Sequence, residues 1–306
     1  MERDVSFLTG RRVKHALERL GHEVHPLDIE ASTTETLMQL APDAAFICLH
    51  GPGGEDGTIQ ALLETLGIPY TGSGPLSSIR CMDKDYAKRA LRSAGIQTAP
   101  FRTFLRRAVN EMGAAAALNT AADSLGYPLA VKPAREGSSF GLTRVEDPGQ
   151  LLDALYEAFG YDAKILLERW LDGTEISVPI LEPAGEAPRV LGLVEIRPRD
   201  GAYNFEAKYT PGETNFAIPP EVPDEAATLI EETALRAYDV LGCTGFARVD
   251  IILEDDTPQV LDVKTIPGFT ETSTFPMAAE HAGFSFEELV ETILDAALHA
   301  EASAKL

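Results

Sequence analysis

Two hydrophobic periods alternate along the chain. In SFLTGRRVKHALERLG (6–21), Val13, Leu17 and Leu20 recur at spacings of four and three before Gly21, which predicts a helix and its stop. HEVHPLDI (22–29) and DAAFICLHG (43–51) read as strands, the second almost wholly apolar like a central parallel strand. GTIQALLETLG (57–67) predicts the next helix. The α-β-α-β-α order predicts an N-terminal doubly wound α/β domain, which normally begins on a central strand; none precedes the first helix here. MDKDYAKRALRSAG (82–95) reads as a helix, QTAPFRTF (97–104) as a strand, AAAALNTAADSLG (114–126) as a helix and YPLAVKPA (127–134) as a strand. AKILLERWLDGTEISVPILE (163–182) is two strands and a connector, leading into an α+β region closed by the helix FSFEELVETILDAALHAEA (284–302). The expected units are 1–82, 83–171 and 172–306. No internal repeat or low-complexity segment interrupts them.

The 306 residues suffice for a large core and two or three domains. With 26 basic and 48 acidic residues, the net charge of −22 argues against nucleic-acid or anionic-membrane partners. An anionic substrate would need a locally basic pocket. Cys48, Cys81 and Cys243 are far apart in sequence, form no C-x-x-C pair, and read as buried thiols of a reducing compartment. Without an apolar leader or a membrane-length apolar run, a soluble, cytoplasmic protein is expected.

FARVDIILEDDTPQVLDVK (246–264) reads as a β-hairpin turning at EDDTP. With the turn centred on Asp256, Asp250 faces Asp262 and Arg248 faces Lys264, all four on one face. Opposed carboxylates roughly 5 Å apart repel unless a cation such as Mg²⁺ joins them. The same pattern also fits a hairpin with a solvated face. In LAVKPAREGSSFGLTRV (129–145), Lys132 ends an apolar strand and a Gly-Ser loop follows, a combination suited to polyphosphate. It is not a P-loop, because G-x-x-x-x-G-K-[ST] is absent. GSSFG also matches the G-x-S-x-G nucleophile elbow, with Ser139 as nucleophile. The helix that motif requires is replaced by strand-like LTRVEDPGQ. HGPGGEDGT (50–58) delivers His50 and Glu55 to a strand's C-terminal end. ILLERWLDGTE (165–175) has the charge pattern of a hinge, with Glu168, Trp170 and Glu175. NFEAKYTPGET (204–214) is a loop suited to a mobile lid. Taken singly, each is also explained as an ordinary turn, loop or packed side chain.

Their order is more specific. HG-x-GGEDG, MDK, VKP-x-REGSS-x-G, ER-WL-x-G-x-E, EAKY, R-V-D and T-x-PG-x-T-x-x-S together closely resemble the D-alanine–D-alanine ligases of the ATP-grasp superfamily, from about Glu2 to the last helix. The resemblance implies three domains, with ATP between the central and C-terminal ones. It also implies a reaction in which one D-alanine carboxylate becomes an acyl phosphate and the amine of a second D-alanine attacks it. By the same resemblance, Lys84, Lys132 and Lys208 bind ATP, Glu168, Trp170 and Leu171 form the adenine hinge, and Glu175 holds the ribose. Asp250 and Asp262 fall on positions that ligate Mg²⁺ or Mn²⁺, and Lys264 on a third. Arg248 and the Gly268 N–H stabilise the tetrahedral intermediate. Glu2 receives the first ammonium and is linked to Ser138 and Tyr209 in closing the lid; His50 lines the substrate site and Ser273 binds the second carboxylate. Lys208 and Tyr209 resemble the peptide-forming ligases rather than those using D-lactate, so an amine is the implied second substrate. A homodimer is implied as well.

The chain departs from that pattern in three places. A strand and glycine-rich turn usually precede ERDVS, so an upstream start or a truncated product is expected. Asp262 stands where glutamate is usual. Lys264 stands where asparagine is usual, and a protonated lysine has no lone pair for a metal. Two outcomes are open: an ammonium replacing one Mg²⁺, or an impaired relic that binds ATP or dipeptide without turnover. An ATP-grasp ligase acting on another amino acid is the remaining alternative.

Overall fold

The computed structural model of the chain describes residues 2–199, 207, 210 and 212–304. Two antiparallel sheets carry the architecture. The first runs β1 (Phe101–Leu105), β4 (Lys164–Arg169), β2 (Leu129–Pro133), β3 (Thr143–Val145). The second runs β10 (Thr257–Lys264), β9 (Phe246–Glu254), β5 (Thr174–Leu181), β7 (Val194–Pro198), β8 (Thr214–Ala217), with β6 (Arg189–Val190) also paired to β5. Residues 170–173 connect the sheets, where the hinge was read. That connection is pinned: Arg169 and the Asp172 N–H both donate to Glu254 at the end of β9.

Strand alternation sets what each sheet buries. Leu129, Val131, Ile165 and Leu167 pack on helices Leu118–Leu125 and Leu151–Phe159. In the second sheet Val249, Ile251 and Val263 turn to Ile230, Ala234 and Leu241 of helix Asp224–Leu241. Each fully buried aliphatic side chain contributes about 1.5–3 kcal/mol of transfer free energy. Burial of Val249, Ile251 and Val263 leaves Arg248, Asp250, Asp262 and Lys264 on the opposite face.

The hairpin register arises differently from the expected one. The turn is two residues, Asp255 and Asp256, both at positive φ (47° and 58°), as in hairpin turns of inverted type. Near it the pairing is offset by one from expectation, with Val260 opposite Ile251. A bulge at Leu261 absorbs one residue, and beyond it Asp262 pairs Asp250 and Lys264 pairs Arg248.

The first 73 residues differ more. The helix is present, Glu2–Leu20, but Leu20 is exposed; Val5, Thr9 and Ala16 complete the buried stripe with Val13 and Leu17. Neither expected strand, 22–29 or 43–51, forms a ladder. The one bridge there is parallel, Ala45 with Tyr70. Side chains take over the ladder's work: the Ile47 N–H donates to Thr71 Oγ1 (3.0 Å) and the His50 N–H to Ser6 Oγ (3.0 Å). In 22–29, Pro26 supplies no donor.

Candidate active site

The two sheets and the N-terminal segment meet at a cavity of about 430 Å³. Each element delivers its side chain for a local reason. Lys84 is the first residue of helix Lys84–Ser93, whose N-cap Asp83 accepts the N–H groups of Asp85 and Tyr86. Its ammonium donates to the Glu136 carbonyl (2.7 Å) and lies 3.6 Å from Asp262 Oδ2. Lys132, next to last in the fully buried strand β2, reaches Glu168 Oε2 on the neighbouring β4 at 3.1 Å. Lys88, one helical turn beyond Lys84, approaches the same oxygen at 3.2 Å and donates to Thr98 Oγ1 (2.6 Å). Glu168 Oε2 is thus held between two ammonium groups.

The hairpin contributes a second cluster. Arg248 grips Asp250 with two hydrogen bonds, 2.8 and 2.7 Å. Asp262 Oδ2 lies between Lys264 (3.4 Å) and Lys84 (3.6 Å). Burial alone would raise the Asp262 carboxyl; Lys264, then Lys84 and Lys132, outweigh it and hold it well below the usual carboxylate range. Burial would depress Lys264, but Asp262, then Glu55 and Glu2, raise it instead.

On the N-terminal side, Ser138 Oγ donates to Glu2 Oε1 (3.0 Å), and Ser138 and Ser139 both adopt positive φ (48° and 61°). Gly51, at φ +75°, has no room for a Cβ because the Glu2 carboxylate fills that space. Burial, then the neighbouring Glu55, push Glu2 up, and burial pushes His50 down. His50 Nε2 pairs with Thr9 Oγ1 (3.2 Å), and Glu55 accepts the Gly51 N–H (2.8 Å). On the opposite rim, a Cβ at Gly268 would come within 2.7 Å of Ser273 Oγ, which itself accepts the Thr270 N–H (3.0 Å). An aromatic cluster of Phe246, Phe269 and Phe275 supports that loop from below.

The cavity therefore brings together Glu2, His50, Lys84, Lys132, Ser138, Glu168, Trp170, Leu171, Glu175, Arg248, Asp250, Asp262, Lys264, Gly268 and Ser273. Lys208 and Tyr209 lie outside the described residues. Two further groups escaped the sequence reading. Lys88 is buried to 1% exposure, although a helical lysine ordinarily signals solvent; its i+4 spacing from Lys84 was the available hint. Arg144 lies over the Trp170 ring at 4.8 Å and had no sequence signal. The elbow geometry around Ser139 is absent: β3, a strand, follows the loop.

The expected locally basic pocket is instead mixed in sign. Among the described residues the lining carries six cationic and seven anionic side chains. No group of three or more His, Cys, Asp or Glu side chains surrounds one point among the described residues. The donor set fits one hard divalent ion on Asp250 and Asp262, completed by phosphate and water. It does not fit a second, because the next position, Lys264, donates only.

Comparison with known proteins agrees with this geometry. Residues 90–295 match the family model described as D-ala D-ala ligase C-terminus, and residues 31–73 the D-ala D-ala ligase N-terminus. A D-alanine–D-alanine ligase of Desulforudis audaxviator is 43% identical over 96% of this chain and 94% of its own length. The crystal structure of the Bacillus anthracis enzyme in complex with ATP superposes with a TM-score of 0.81 at 32% identity, covering 99% of this chain and 95% of that one. The VanG D-Ala:D-Ser ligase of Enterococcus faecalis gives 0.72 at 36% identity over 83% of this chain and 72% of its own. With matching models over both parts of the chain, an ATP-grasp architecture and these relatives, the chain belongs to the D-alanine–D-alanine ligase family.

Proposed function

We propose that this protein joins two D-alanine molecules at the expense of ATP, giving D-alanyl-D-alanine for peptidoglycan synthesis. The observation that carries this reading is the cation set of Lys84, Lys132, Lys264 and Arg248 in one cavity with the Glu168 hinge. Trp170 and Leu171, on the connection next to Glu168, flank the adenine, with Glu175 toward the ribose. Lys84 and Lys132 neutralise phosphate oxygens. Glu2, oriented by Ser138, receives the ammonium of the first D-alanine.

The first D-alanine's carboxylate oxygen attacks the γ-phosphorus. The bond to the β-γ bridging oxygen breaks, and ADP leaves. The ammonium of the second D-alanine, positioned through Ser273, gives up a proton to water, and the resulting amine attacks the acyl carbon, its next proton leaving with the phosphate. Arg248 and the Gly268 N–H stabilise the oxyanion, and phosphate leaves as the amide forms. A magnesium ion on Asp250 and Asp262 supplies, when bound, charge neutralisation of the phosphates. We further infer a homodimer in the cytoplasm, built from units 1–82, 83–171 and 172–306. No described helix is long and apolar enough to cross a membrane.

ADP release and dipeptide formation test the proposal. One dipeptide per ADP, dependent on D-alanine, is expected. Nucleotide binding without D-alanine-dependent ADP release would refute it in favour of a binding relic. A preference for another D-amino acid as second substrate would redirect it to a related ligase.

A further inference from the structure

Lys264 is a fixed cation at the centre of the charge cluster. Its side chain is only 13% exposed, and its Nζ lies 3.4 Å from Asp262 Oδ2. Lys84 approaches the same oxygen at 3.6 Å. A Cβ built on Gly137 would sit 3.7 Å from Lys264 Nζ and against Glu2 Oε1. The ammonium is thus close to the Gly-Ser loop, the Glu2 carboxylate and Asp262 together. Across the hairpin its register partner is Arg248, which is committed to Asp250 through two hydrogen bonds.

Phosphoryl-transfer sites are often built around two divalent ions bridged by carboxylates. Such a bridge needs both oxygens of the bridging group and a further neutral or anionic donor beside them. Here Asp262 Oδ2 already faces two ammonium groups, and the neighbouring position offers three N–H donors and no lone pair. A second divalent ion would meet an ammonium where it needs a ligand. A lysine nitrogen supplies one positive charge and directional donors to phosphate at the same place, without having to be recruited from solution.

We propose that the Lys264 ammonium takes the place of one of two divalent ions, so that the nucleotide complex of this protein holds one metal ion per chain. The proposal rests on the nucleotide-binding reading above. The test counts Mn²⁺ by electron paramagnetic resonance in the full chain saturated with a non-hydrolysable ATP analogue. One bound Mn²⁺ per chain with an uncoupled spectrum is expected for the wild type. Two per chain, spin-coupled, are expected for Lys264→Asn, which replaces the donor by a side-chain carbonyl.

Two ions in the wild type would overturn the inference while leaving nucleotide binding intact. That measurement stands whether or not the variant folds. One ion in a Lys264→Asn protein with wild-type thermal unfolding would also overturn it, because the lysine would then not be what excludes the second ion. A wild-type chain that retains no Mn²⁺-nucleotide at all would overturn both this inference and the reading beneath it.

Discussion

Replacing Lys88 by methionine, and separately Glu168 by glutamine, probes the buried cluster beneath the nucleotide site. Glu168 Oε2 is 3.2 Å from Lys88 and 3.1 Å from Lys132, with all three residues under 9% exposed. The cluster carries two positive charges and one negative. Lys88→Met leaves a neutral Glu168–Lys132 pair, removes the bond to Thr98, and ends the burial of one ammonium. The lost contacts and that relief partly cancel, for a net destabilisation of about 1–2 kcal/mol. Glu168→Gln leaves two buried ammonium groups without a counter-charge, and its cost is about 3–5 kcal/mol.

The pH dependence separates the variants further. Burial lowers Lys88 from 10.5 to about 8, against the opposing pull of Glu168. Below that value the lysine is protonated whether the chain is folded or not. Between about 8 and 10.5 the folded form has released the proton and the unfolded form still holds it. The unfolded state then binds more protons, and stability rises with pH across the window. Calorimetric unfolding of wild type and both variants at several pH values between 7 and 10.5 measures the cost and the slope. The expected result is a larger loss for Glu168→Gln and a wild-type rise that Lys88→Met lacks. Equal losses, or the same rise in Lys88→Met, would refute the charge accounting.

Two other changes test separate parts of the structure. Gly268→Ala places a Cβ 2.7 Å from Ser273 Oγ and displaces that hydroxyl; losing a hydrogen bond to a charged carboxylate costs about 1.5–3 kcal/mol, a roughly 10–100-fold rise in KM for the second D-alanine. An unchanged KM would remove Ser273 from carboxylate binding. Asp256→Gly relieves a side chain at φ +58° in the exposed hairpin turn, raising stability by about 0.5–1 kcal/mol with ADP release unaltered; a loss of stability by denaturant titration would contradict the two-residue turn.

How far the sequence was legible depended on the distance over which each feature is decided. The face shared by Arg248, Asp250, Asp262 and Lys264 follows from strand alternation, a local property. Its register came out as expected only because the bulge at Leu261 offsets a turn shorter than the one assumed. The apolar run 43–51 is buried in part, yet beyond the single bridge at Ala45 its Ile47 and His50 N–H groups are met by the hydroxyls of Thr71 and Ser6 rather than by a strand, and hydrophobicity alone does not distinguish these. Lys88 sits on a helix and owes its burial to Glu168, a partner 80 positions away on strand β4. Cys81 and Cys243 show the same limit: distant in sequence, they meet with sulfurs 3.8 Å apart in the core.

The mixed lining of the cavity bears on which species it admits. With seven anionic side chains against six cationic ones, in a chain of net charge −22, the cavity gives no general attraction to anions. A bare triphosphate would enter against that balance, whereas a metal complex of the nucleotide brings its own neutralising charge. D-alanine enters as a zwitterion of zero net charge, so its recognition falls to paired local groups: carboxylate to hydroxyl and N–H, ammonium to Glu2. Lys84, Lys132, Lys264 and Arg248 are then used at close range, where each is already oriented by a carboxylate or carbonyl. Catalysis in such a site depends on exchanging those internal partners for substrate oxygens. Removing Asp262 should therefore impair turnover as much as removing Lys84, one of the cations it holds.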